Sequence, residues 1–314
     1  MLTVADSVAI FLDSRVGLVT AKTARINKHY LKSLEHVFHD RDIASITLAD
    51  LRDWRKMLVE RPMKYGGQGR RKLVQEHLSP HTVHGHVRNC KQLFRWLFEE
   101  GYIPANPAAR LKQVPITHET SNRTMTDADF QKMLDASMGE SPERVRDRAL
   151  LWFFASTGCR LGGAAKLKME HLELSCARAI VTEKGKGGGK TRTVYLKSEA
   201  IRAMHEWLLV RAQLQPTTDH AFTTVPNMAG QGGGTALCEK TIYAQFRRIA
   251  KRARVTGRFN PHALRHRLAK RMLRRGANLS AVSKVLGHSG IRVTHEFYGI
   301  YEDGEARDAH LRYA

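Results

Sequence analysis

Apolar positions recur every three or four residues through most of the first 112 residues. Val4, Val8, Phe11 and Leu12 form one stripe, and Ile26, Tyr30, Leu34, Val37 and Phe38 form a second at the same period. Each stripe predicts an amphipathic helix. Thr47 and Asp50 have the spacing of a capping box ahead of Leu51, Trp54 and Leu58. Ser79-Pro80 predicts the start of a long helix through Val83, Val87, Cys90, Phe94 and Leu97, which Gly101 can end. Between these two helices PMKYGGQGRRK (62–72) is a basic, glycine-rich loop, either a solvated connection or a phosphate-contacting one.

Periodicity lapses over QVPITHETSNRT (113–124), the expected linker between domains. Helical patterns resume at Thr126 and across 143–156. Two short alternating runs follow, ARAIVTEK (177–184) and KTRTVYL (190–196), joined by the glycine-rich KGKGGGK. Helical patterns return over 198–214, 239–254, 262–275 and 280–286, interrupted by NMAGQGGGTAL (227–237). No internal repeat is present. The expected fold is mainly α with a small β-sheet: an all-helical domain over 1–112, a linker over 113–124 and an α+β domain over 125–314.

Composition narrows the function. A chain of 314 residues can bury two cores of ordinary size. No run of about 18 apolar residues offers a membrane span, and MLTVADSVAIFLDSR lacks the basic start and apolar centre of a signal peptide. Cys90, Cys159, Cys176 and Cys238 show neither metal-ligand nor disulfide-framework spacing, which suits a reducing cytosol. Fifty-two Lys and Arg against thirty Asp and Glu give a net charge of +22. A surplus of this size points to a polyanion, and nucleic acid is the expected partner of a cytoplasmic, nucleoid-associated protein. The basic residues are spread along the whole chain, unlike the single basic amphipathic segment that anionic lipid attracts.

Several stretches place cations where a phosphate can sit. STGCRLGG (156–163) puts Arg160 on a glycine-flanked turn after an apolar helix. PHALRHRLAKRML (261–273) puts His262 and Arg265 three apart at a helix start, and LGHSGIRVTHEFY (286–298) supplies His288 and Tyr298. The hairpin tip from Lys184 to Lys190 can reach a DNA groove. Taken singly, each has an ordinary reading: a surface arginine, a solvated helix pair, a packing tyrosine, a flexible turn.

The order Arg, hairpin Lys, His-x-x-Arg, Leu-Gly-His, Tyr resembles the catalytic domain of the tyrosine recombinase (phage integrase) family. TGCRLGG, TEKGKGGGKTRTVYL, HALRH and LGHSGIRVTHEFY carry the resemblance over residues 125–301. Residues 1–112 look like the family's helical core-binding (SAM-like) domain, and the two domains with their linker fit a clamp around duplex DNA. The resemblance implies a site-specific recombinase that cleaves and rejoins a double-stranded DNA site through a 3′-phosphotyrosyl link. It also implies a tetramer on two DNA sites and no metal, ATP or other cofactor; accessory DNA-bending proteins are left open. Tyr298 would be the nucleophile, because nine residues after His288 falls on Phe297 and ten falls on Tyr298. Tyr301 is left as a packing or phosphate-contacting neighbour.

The implied roles make chemical sense. Arg160 and Arg265 can donate paired hydrogen bonds to the non-bridging oxygens, where charge grows during attack on phosphorus. His262 can accept the tyrosine proton, while His288 hydrogen-bonds the phosphate. A hairpin lysine would protonate the 5′-oxygen; Lys186 fits best, with Lys184 in reserve. One departure stands out. The family usually has an acidic residue three positions after the first arginine, where this chain has Gly163. Its loss removes a carboxylate that would help fix the Arg160 neighbourhood, and Gly162-Gly163 lowers local helix propensity. Two other functions share the fold: a catalytically silent DNA-binding protein, and a type IB topoisomerase. With no arm-binding domain before the core-binding region and no large insertion before HALRH, a simple recombinase is expected. Residues 302–314 follow as either a protomer-docking tail or a frayed end.

Overall fold

Thr3 caps the first helix, α1 (Val4–Ser14), by accepting from the Asp6 amide while the Asp6 carboxylate takes the Thr3 amide. The same reciprocal box starts α3 (Leu48–Glu60) at Thr47 and Asp50, with bonds of 3.2 and 2.8 Å. Between them lies α2 (Ala21–Phe38), and Ser79 with Pro80 opens α4 (Pro80–Glu99). Gly101, at φ +76°, turns the chain away after it. In this computed structural model the described residues are 1–61, 77–116, 124–183, 185, 189–227, 230–288 and 290. The chain divides into two compact units, Met1–His118 and Glu119–Ala314. The first is built on these helices, with Phe11, Leu31, Trp54, Val87 and Phe94 in its core.

The inward face of α2 differs from the expected stripe. Asn27, Leu31, Leu34 and Phe38 are buried, whereas Ile26 and Val37 are 39% and 40% exposed. The cause is the docking of α2 on α4. Tyr30 lies across Gly85, where a Cβ would come within 2.5 Å of its ring. His86 Nδ1 then sits 2.8 Å from the Tyr30 carbonyl and 2.9 Å from Ser33 Oγ. Tyr30 therefore marks the flank of the buried face rather than its centre.

The second unit runs α5 (Asp127–Asp135), α6 (Pro142–Thr157) and α7 (Leu161–Ala165). A three-stranded antiparallel sheet follows, β1 (Leu172–Glu173), β2 (Arg178–Glu183) and β3 (Lys190–Tyr195), and then α8 (Ser198–Gln213), α9 (Glu239–Arg252), α10 (Pro261–Arg274) and α11 (Leu279–Leu286). Both β1 and α7 are additions to the sequence expectation, being only two and five residues long. The described part is mainly helical with a small sheet.

The core of this unit centres on α6. Phe153 and Phe154 meet Phe222 and Phe246 edge-on, with centroids 5.5 and 5.4 Å apart. Trp207 on α8 is fully buried and donates its indole N–H to the Ala221 carbonyl at 2.8 Å. Burying such rings contributes about 1.5–3 kcal/mol each. Polar ties fix the outer helices. Arg252 on α9 donates to the buried Asp147 of α6 at 3.1 Å and to the Ala136 carbonyl at the end of α5 at 2.6 Å. Arg267 on α10 donates to Asp127 at 2.6 Å and lies 4.2 Å above the Phe130 ring. These contacts orient α10, which carries two of the candidate residues.

Candidate active site

The left-handed turn at Gly158, φ +57°, stops α6. A Cβ there would come within 2.9 Å of Leu268 Cδ2 and 3.0 Å of Leu286 Cδ2, so glycine is required by conformation and by space. The Gly158 carbonyl accepts from Arg265 Nη1 at 2.7 Å. Arg265 is only 4% exposed, and its Nη2 donates to the Leu286 carbonyl at 2.7 Å. A small apolar cluster of Leu268, Ala269, Val282 and Leu286 holds α10 against α11 and so aligns these two acceptors.

The C-terminus of α11 receives a second arginine. Gly287 closes the helix at φ +67°, and a Cβ on it would reach within 2.5 Å of Arg192 Cδ. Arg192 passes through that space and donates Nη1 to the Val285 carbonyl at 2.7 Å. Carbonyls at a helix C-terminus lack partners within the helix and carry its negative dipole end, so guanidinium groups are suited to them.

Arg160 is the N-cap residue of α7. Its amide donates to Glu183 Oε1 at 2.5 Å, and its Nη1 to Glu183 Oε2 at 2.6 Å. Arg192 contacts the same carboxylate, Nη2 to Oε1 at 3.1 Å and Nε to Oε2 at 3.3 Å. Burial alone would raise the Glu183 pKa; hydrogen bonds from Arg192 and the Arg160 amide, with both guanidinium charges, reverse this and hold it below the usual carboxylate value. Glu183 is thus an ionised carboxylate almost wholly removed from water. Gly163 brings no carboxylate to Arg160, and β2 supplies one from Glu183.

The two histidines lie near these cations. His262, in the first turn of α10 behind the Asn260 cap, is exposed but partly desolvated. Desolvation, then the Arg265 and Arg160 charges, lower its pKa from 6.5. His288 follows Gly287, half-buried, with its amide donating to the Ser283 carbonyl at 3.1 Å. Burial, followed by Arg265, Arg160, His266 and Arg192, pushes it down to about 4. Both imidazoles are therefore neutral at pH 7, each able to offer one N–H and one lone pair.

The fold thus brings Arg160, His262, Arg265 and His288 into one electrostatic neighbourhood. Arg265 is no solvated member of a helix pair: it is buried, while His262, three residues earlier, faces outward. Lys184, Lys186, Tyr298, Tyr301 and the stretches 62–72 and 302–314 lie outside the described residues. Sequence reasoning missed Glu183 and Arg192. The signal was present in the alternation of β2, where Ala179, Val181 and Glu183 all point inward.

A mainly α domain with a small sheet gathers guanidinium groups around neutral imidazoles, an arrangement able to donate hydrogen bonds to an oxyanion. The comparisons identify the group. The Phage integrase family model matches residues 123–302. Tyrosine recombinase XerC of Xanthomonas campestris pv. campestris is 31% identical over 230 residues, covering 72% of this chain and 67% of that protein. The Tn1549 transposon integrase, solved in complex with transposon right end DNA, superposes with a TM-score of 0.76 at 21% identity, over 99% of each chain. A lambda integrase dimer bound to a core site gives 0.68 at 16% identity, over 92% of this chain and 96% of that one. The chain belongs to the phage integrase family and is a DNA-binding tyrosine recombinase, an enzyme of site-specific recombination. Among the described residues, no helix is long and apolar enough to cross a membrane.

Proposed function

We propose that this recombinase breaks and rejoins double-stranded DNA through a 3′-phosphotyrosyl intermediate on Tyr298, without metal or ATP. The observation that carries the reading is the convergence of Arg160, Arg265, His262 and His288 just before the segment that holds Tyr298. Arg160 and Arg265 donate to the non-bridging oxygens of the scissile phosphate; preorganised donors of this kind contribute about 3–4 kcal/mol each to the transition state. Tyrosine, with an ordinary pKa of about 10, needs a base. His262, whose lowered pKa keeps its lone pair free at neutral pH, accepts the proton. His288 hydrogen-bonds the phosphate. Lys186, with Lys184 in reserve, delivers the proton to the departing 5′-oxygen. Attack forms the Tyr298–phosphorus bond and breaks the bond to the 5′-oxygen; attack by a new 5′-hydroxyl reverses both, so the ester is kept throughout.

The first unit acts as the core-binding domain, and a tetramer holds two recombination sites. The product of the exchange is integration or excision of a mobile element, or resolution of DNA dimers. The test uses a duplex selected from a random-sequence library and nicked near the expected cleavage point. Wild type forms a protein–DNA adduct that survives denaturant, and Tyr298→Phe forms none. Tight, salt-sensitive binding with no adduct would instead mark a silent DNA-binding protein.

A further inference from the structure

We infer that Glu183 is the positioning residue for Arg160 and Arg192, placing on β2 the carboxylate that Gly163 lacks. This deepens the proposed function and rests on it. Three observations converge. Glu183 accepts from the Arg160 amide, the Arg160 guanidinium and two nitrogens of Arg192, so one carboxylate fixes both the backbone and the side chain of Arg160. A Cβ built on Gly163 would stand 3.2 Å from Glu183 Cγ, 3.3 Å from Val181 Cβ and 3.5 Å from Glu183 Oε1. A side chain at 163 would thus enter the volume that Glu183 fills, and the space holds one carboxylate rather than two. Finally, Glu183 continues the inward row of Ala179 and Val181, where alternation alone would set another apolar side chain.

The geometry explains why the carboxylate belongs there. An arginine that must meet a phosphate needs its plane set in advance, because a guanidinium free to rotate loses the paired geometry. Glu183 takes one edge of Arg160, whose side chain remains 34% exposed for the substrate. It also fastens Arg192, which donates to the Val285 carbonyl, so one carboxylate on β2 ties α7 to β3 and, through Arg192, to the end of α11.

The test compares full-length wild type with Glu183→Gln, Glu183→Val, Gly163→Glu and the transposed double variant Gly163→Glu/Glu183→Val. Two quantities are read: the thermal midpoint without DNA, and the rate of adduct formation on the selected nicked duplex with its Kd. Glu183→Gln should slow adduct formation about 30- to 100-fold while changing Kd less than about threefold, since aim rather than attraction is lost. Gly163→Glu alone should lower the midpoint by crowding two carboxylates. The double variant should recover both midpoint and rate relative to Glu183→Val. A Glu183→Gln rate within about twofold of wild type overturns the inference. So does a double variant no better than Glu183→Val in either quantity. If wild type forms no adduct, the recombination chemistry fails, and the midpoints alone decide whether the carboxylate has moved between strand and helix.

Discussion

Arg265 and Arg160 bring the same chemical group to one site, but their seats differ. Arg265 is almost fully buried and donates to two main-chain carbonyls, one at the end of α6 and one at the end of α11. Arg160 is partly exposed and bound to a carboxylate. Carbonyl dipoles hold a guanidinium without cancelling its charge, at the cost of requiring two helix ends and two glycine turns in register. A carboxylate orients more strongly through charge-assisted bonds but neutralises part of the charge it orients. The lesson is a division of labour. In the proposed chemistry the carbonyl seat presents a buried guanidinium to the phosphate, and the carboxylate seat aims a more accessible one.

Arg265→Lys should have the largest effect. An ammonium cannot span both carbonyls and still present a planar edge, so adduct formation should fall about 100- to 1,000-fold. Arg160→Lys should be milder, about 10- to 100-fold, because a lysine can still pair with Glu183 as a point charge. Both are read as single-turnover rates on the nicked duplex. Gly158→Ala attacks the carbonyl seat through the backbone. The positive φ and the 2.9 Å approach to Leu268 should cost about 1–3 kcal/mol in urea unfolding. Thr47→Ala, in the other unit, removes a helix cap and should cost about 1 kcal/mol without slowing the chemistry of DNA already bound.

The smallest effect is a pH dependence set by the histidines beside these arginines. An unfolded histidine takes its proton near pH 6.5, whereas His288 resists until about 4. Between these values the unfolded state binds more protons, so stability is full above pH 6.5 and declines as pH falls towards 4. His262 and His86, also lowered, act in the same direction. Replacing His288 by Asn should flatten part of this window, measured as urea midpoints at successive pH values. Glu183, lowered instead from 4.5, adds stability that is lost only at more acid pH.

Legibility in the sequence followed physical range. Local signals were reliable: the Thr47–Asp50 box and the Ser79-Pro80 start are contacts within one turn, and the helices they predict are present. The face of α2 was misread because it depends on Gly85, far along the chain, admitting Tyr30. The helix α7 escaped notice because Gly162-Gly163 disfavours helix; the burial of Ala164 and the Glu183 contact with Arg160 at its start come from the fold. Arg160, His262, Arg265 and His288 were legible as an ordered set of motifs, and the fold brings them together. The burial of Arg265 was not legible, since nothing local reveals two carbonyls supplied from other parts of the fold. Glu183 stayed hidden because an acid at a strand end looks solvated unless the inward row of β2 is followed to its last residue.

The proposed chemistry comes down to one covalent bond. Wild-type protein trapped on the selected nicked duplex is digested with nuclease and trypsin, and the nucleotide-linked peptide is fragmented in a mass spectrometer. The predicted result is a phosphodiester to the 3′-end of DNA on Tyr298 in the peptide VTHEFYGIYEDGEAR, with Tyr301 unmodified. Attachment at Tyr301, attachment through a 5′-phosphate, or a fully binding protein with no linked peptide would contradict it.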